Sequence, residues 1–111
     1  MIASIKGKVE YKNDSEIVVQ VGGIGIKVFV PQPTCAVISV GDFVTLHTYL
    51  VAREIGLFLY GFETIAQRDF FIHLISVSGI GPRIALAILS TLSVESIKRA
   101  VLKEQVEIFT Q

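Results

Sequence analysis

Apolar positions change their period part-way along the chain, near Phe62. Before that point they fall in short β-branched or alternating runs, the mark of strands. Ile2 to Tyr11 forms the first run, and Ile17-Val18-Val19-Gln20-Val21 forms the second. Gly22-Gly23-Ile24-Gly25 supplies the backbone freedom of a tight connection to Ile26-Lys27-Val28-Phe29-Val30. Pro31 and Pro33 end that run, since proline cannot donate to a strand ladder. Gly41-Asp42 is a turn signal before Phe43 to Val51, and Arg53-Glu54-Ile55-Gly56 breaks that run from Leu57 to Phe62. Five short strands in about sixty residues predict a small barrel, and the number five favours the partly open OB type.

Beyond Phe62 the spacing becomes helical. Thr64 with Gln67 three positions on has the form of a capping box, and Ile65, Phe71, Leu74 and Ile75 follow on one stripe. Ser78-Gly79-Ile80-Gly81 interrupts, and Pro82 stands where a first helical position tolerates it. Ile84, Ala85, Ile88 and Leu89 give the next stripe. Ser93 is placed to cap a third helix with Ile97, Ala100 and Val101, and Glu104 to Gln111 begins a fourth. The expected class is β + α: an OB-fold barrel over residues 1–62, then an all-α helix-hairpin-helix domain over 63–111.

Composition narrows the function. Hydrophobic residues make up 51% and charged residues 18%, enough to fill a core. Ten basic residues balance ten acidic ones, which excludes a protein that coats nucleic acid by bulk charge but not a local phosphate site. The single cysteine, Cys35, excludes an intrachain disulfide scaffold and fits a reducing compartment. No apolar run approaches the ~18 residues of a membrane span, and the first residues lack a signal-peptide pattern. A soluble intracellular protein is expected.

Three features invite chemistry. In Ser78-Gly79-Ile80-Gly81-Pro82-Arg83, two glycines permit a hairpin whose free N–H groups face outward at a helix N-terminus, an anion site that Arg83 extends. For a bare Gly-x-Gly, a plain helix-helix turn is the better explanation. The apolar residues Leu74, Ile75, Ile80, Ala85, Ile88 and Leu89 around it complete a helix-hairpin-helix pattern and favour phosphate binding. Arg53-Glu54-Ile55-Gly56 is a charged hairpin tip and, taken locally, a solvated turn. His47 and His73 lack further ligands at metal spacing, so no metal site is expected, and Cys35 has no basic sequence neighbour to activate it. Phosphate-loop, dinucleotide and nucleophile-elbow motifs are absent, so neither ATP hydrolysis nor a cofactor is expected.

The order of these parts closely resembles the RuvA family, the bacterial Holliday-junction-binding subunits of the RuvAB branch-migration complex. Leu59-Tyr60-Gly61-Phe62, the hairpin Ser78 to Ser90, Val21 to Gly25, Met1-Ile2 with Gly7, and Val51-Ala52-Arg53-Glu54 carry the resemblance along the whole chain. Family members continue with a second hairpin and a motor-binding domain, so the chain is expected to be an N-terminal fragment. The resemblance implies a homotetramer, or an octamer on DNA, that grips four-way junction arms through Ser78 to Arg83 without reading sequence. It also implies an acidic pin at Glu54 that keeps the crossover open, with RuvB supplying ATP-driven motion and RuvC resolving the junction. Such a subunit is non-catalytic, cytoplasmic, and serves recombination and DNA repair. The family's pin carries two adjacent acids, whereas Ile55 follows Glu54 here.

Two readings compete. An OB barrel with Phe43, Tyr49, Phe58 and Tyr60 on one face would bind single-stranded DNA, although core packing is the expected use of most of these rings. A helix-hairpin-helix glycosylase would need a catalytic Asp or Lys after the hairpin; no Asp follows Asp69, and Lys98 and Lys103 lack a supporting motif.

Overall fold

The computed structural model describes residues 2–77, 79–93, 95–97, 99–100 and 102–103. Two compact units divide the chain, residues 1–63 and 64–111. The first unit is a closed five-stranded barrel. Its strands are β1 (Ser4–Lys12), β2 (Glu16–Val21), β3 (Ile24–Phe29), β4 (Phe43–Arg53) and β5 (Gly56–Phe62), in the order β1-β2-β3-β5-β4. A short helix, α1 (Gln32–Val37), joins β3 to β4.

Alternation builds the core. Ile5 and Val9 of β1, Ile17 and Val19 of β2, Val28 of β3, Leu46 of β4 and Leu59 of β5 turn inward, and Val30, Cys35 and Ile38 join them from the α1 crossover. Each such side chain is worth about 1.5–3 kcal/mol when fully buried. Closure depends on β1, whose first half pairs with β4 (Ser4 with His47, Lys6 with Thr45) and whose second half pairs with β2 (Val9 with Val19, Lys12 with Ile17). Gly7 sits where the two pairings meet, and a Cβ there would run into the carbonyl oxygen of Gln20. The β2–β3 hairpin closes on Gly22 and Gly23, both at positive φ (56° and 84°), the geometry that a two-residue turn between twisted strands needs.

The α1 helix is absent from the sequence expectation, which took Pro31 and Pro33 only as strand terminators. Proline also fits a helix's first turn, where no N–H partner is missed. Pro31 takes φ −57° at the N-cap, and Cys35 N–H donates to its carbonyl at 3.0 Å. The far end is held by Lys12, whose Nζ donates to the carbonyls of Cys35 (3.1 Å) and Ile38 (2.8 Å).

The second unit contains α2 (Ile65–Val77) and α3 (Pro82–Ser90), which pack on each other. The capping box forms: Gln67 N–H donates to Thr64 Oγ1 at 3.1 Å, and Thr64 N–H donates to Gln67 Oε1 at 3.0 Å. In α3 the buried stripe is Pro82, Ala85, Leu86 and Leu89. Ile84, expected on that stripe, is 58% exposed, because the 3.6-residue turn places Leu86 inward instead. Ser93 Oγ accepts from Ser96 N–H at 3.1 Å, capping a further helical turn. Val101 and the expected fourth helix, residues 104–111, lie outside the described residues. No helix among the described residues is long and apolar enough to cross a membrane.

Candidate nucleic-acid interface

The hairpin between α2 and α3 turns on two glycines with different conformations. Gly79 sits at φ +69°, the left-handed region that a side chain resists. Gly81 takes φ −72° and ψ 160°, ordinary extended backbone, as the N-cap of α3. Of the two glycines, a side chain would strain the backbone at Gly79 alone. A Cβ at Gly81 would meet nothing within 4 Å.

Gly81 starts the helix, its carbonyl accepting from Ala85 N–H at 3.0 Å. No side chain caps this end, and no acid occupies its first turn. Its free N–H groups thus keep their partial positive charge for an outside anion. Pro82 is buried and costs no donor at the first helical position. Ile80 is half-buried, and Arg83 is exposed with no ion-pair partner among the described residues. The arrangement presents backbone donors and one guanidinium toward an approaching phosphate. Ser78 lies outside the described residues.

The second expected feature, the Arg53-to-Gly56 tip, ends the longest hairpin of the barrel. Strands β4 and β5 pair continuously from His47 with Phe62 to Arg53 with Gly56, leaving Glu54 and Ile55 as the turn. Successive residues Ala52 to Ile55 are all exposed, so the tip is solvated on both faces, and Ile55 reaches 84% exposure. An apolar β-branched residue at such a tip gains nothing from its own fold.

The four aromatic residues considered for a stacking face do not form one. Tyr60 is buried (6%), with Phe29 5.5 Å away between ring centres, and Phe58 and Tyr49 are half-buried. Phe43 alone is open, at 82%. Cys35 is buried and its thiol donates to the Asn13 carbonyl at 2.7 Å. Burial pushes that thiol above its ordinary range, Lys12 pulls it down, and Asp14 adds a smaller push upward. That is the opposite of an activated nucleophile.

A family model described as RuvA N terminal domain matches residues 1–61. The chain belongs to the RuvA family. A second model, described as SAM-like helix-hairpin-helix tandem, matches residues 71–110 and so includes the Gly79-to-Arg83 hairpin. Among curated relatives, the Holliday junction branch migration complex subunit RuvA of Halothermothrix orenii is 43% identical over 111 residues, which is 100% of this chain and 57% of that protein. The proteins of the same name from Herpetosiphon aurantiacus and Pseudomonas fluorescens strain Pf-5 are each 39% identical over 112 residues, covering 100% of this chain and 57% and 55% of their own lengths. The chain spans about half the length of the curated relatives it matches.

Proposed function

We propose that this chain is the DNA-gripping half of a Holliday junction branch-migration subunit, binding four-way junctions through phosphates at Ser78 to Arg83. The observation that carries the reading is Gly81. Neither its backbone conformation nor packing among the described residues requires glycine there, whereas an incoming DNA backbone that must approach the helix N-terminus closely does. Phosphate contacts of this kind position the protein without reading sequence. The family relationship supports the rest: four subunits hold four arms in an open square, the RuvB motor supplies ATP-driven motion, and RuvC acts on the same junction. The chain is itself non-catalytic and works in the bacterial cytoplasm during recombination and repair.

In this reading Glu54 is a repulsive element. Its carboxylate is exposed at a projecting tip, and a carboxylate brought near phosphates is unfavourable, more so as water leaves. Gel-shift titration of a synthetic four-way junction tests both parts. Arg83→Ala should weaken binding and lower the salt slope by about 1 for each engaged hairpin. Glu54→Gln should keep or raise affinity, and Ile55→Asp should lower it by restoring a second acid. Unchanged affinity in Arg83→Ala together with Gly81→Ala would remove the hairpin from the site. A large loss in Glu54→Gln would make that residue a ligand rather than a repulsive pin.

A further inference from the structure

The outer face of the barrel carries a group of side chains that the hairpin reading leaves unused. Along β1, Ile5 and Val9 point into the core while Ser4, Lys6 and Lys8 are exposed. Antiparallel pairing sets Lys6 opposite Thr45 and Lys8 opposite Phe43 on β4, and sets Lys8 opposite Gln20 on β2. All five of these residues are exposed, Phe43 to 82%. Cross-strand neighbours on one face lie about 4.5–5.5 Å apart at Cβ, so the ring and the two ammonium groups share one surface.

Two acids, Glu10 and Asp42, lie nearby. Neither lysine has a carboxylate partner among the described residues. Asp42 accepts from Ser39 N–H at 2.9 Å. Glu10, in the bulge between Val9 and Tyr11, has its Oε2 3.6 Å from where a Cβ on Gly25 of β3 would stand, and Gly25 pairs with Gln20, so this carboxylate lies on the same outer face at its β2 side. The strip Lys6–Lys8–Phe43 is cationic and aromatic, with Glu10 at its β2 side but no ion pair to either lysine among the described residues.

We propose that this β2–β1–β4 face binds single-stranded DNA, with Phe43 as the stacking platform and Lys6 and Lys8 as phosphate contacts. Unpaired bases offer a free ring face to an exposed aromatic, and cationic side chains beside the ring track the backbone. A duplex keeps its base faces stacked on one another, so Phe43 discriminates in favour of an unpaired strand. A second copy of the same face would bring lysines against lysines, which disfavours self-association through it. The choice of DNA rests on the proposed junction function, in which strands at an opened crossover are unpaired; the surface itself is independent of the hairpin.

The test is fluorescence anisotropy of the whole 111-residue chain with a labelled oligothymidylate of about 16 nucleotides, the upper site size of one OB barrel. Phe43→Ala should weaken binding at least about five-fold. The double variant Lys6→Ala with Lys8→Ala should reduce the salt slope by about 1.4, the value for two single-strand phosphates, and the double Lys→Arg variant should restore it. Phe43→Trp keeps a stacking ring and introduces the only indole in a chain that has no Trp, so its emission should be quenched by the oligonucleotide. Arg83→Ala should leave oligothymidylate affinity unchanged while weakening the junction, which separates this surface from the hairpin. Unaltered affinity in Phe43→Ala, no quenching in Phe43→Trp, or equal loss for duplex and single strand would each overturn the proposal. A native mass that changes in Phe43→Ala while oligonucleotide affinity does not would make the face a protein interface instead.

Discussion

Gly79 and Gly81 stand two positions apart and answer to different masters, the fold and the partner. At φ +69°, Gly79 spares the chain the left-handed cost of a side chain, so Gly79→Ala should lower stability by about 1–2 kcal/mol in a thermal melt. Gly81 is extended with open space at its Cβ position, so Gly81→Ala should melt like the parent and show its loss only in junction affinity. Cys35 offers a separate check on the barrel interior. Its buried thiol holds its proton more tightly folded than unfolded. The associated stability is therefore fully present below the ordinary thiol value of 9.0 and is lost as pH rises above it. Iodoacetamide should alkylate Cys35 slowly in the native chain and rapidly in denaturant, and melts should lose stability selectively above that pH relative to Cys35→Ala.

Elements with local signals are the ones that sequence reading finds. The Thr64–Gln67 box is a pattern of four residues and forms as written, so Thr64→Ala should destabilise the helical unit by about 1 kcal/mol, measurable by circular dichroism melts. The Gly22-Gly23 turn and the break at Gly79 to Pro82 were legible for the same reason: the chemistry of the turn is in the turn. What escaped depends on information elsewhere in the chain. Helix α1 was hidden because a proline that ends a strand and one that opens a helix look alike; its far end is secured by Lys12, on β1. Core packing is the expected use of most of the four barrel rings, and which one faces out is not local: the parity of β4 is set by Leu46 and the buried Thr48, which turn Phe43 outward. The hairpin's two glycines were visible as a motif, while the conformational difference between them was not, since Gly-x-Gly carries no φ.

At the scale of the whole molecule, the barrel is fastened by a strand that must be held on both edges. Lys8 pairs with Gln20 on one side and with Phe43 on the other, and Ser4 meets His47 across most of the barrel's chain. The β1–β2–β3 meander is local, whereas the β1–β4 seam joins distant residues and bears the loop-closure entropy. Chevron kinetics should therefore show Val19→Ala chiefly slowing folding and Thr45→Gly, on the seam, chiefly speeding unfolding. During synthesis, a nascent chain that has emerged only through Phe29 has its meander but not its closing strand. The apolar side of that meander, with Ile5, Val9, Ile17, Val19 and Val28, stays uncovered while the ribosome makes the next thirty or so residues, through Phe62 at the end of β5, on the order of seconds at ordinary elongation rates. That interval is when an unfinished barrel is most open to the wrong neighbour.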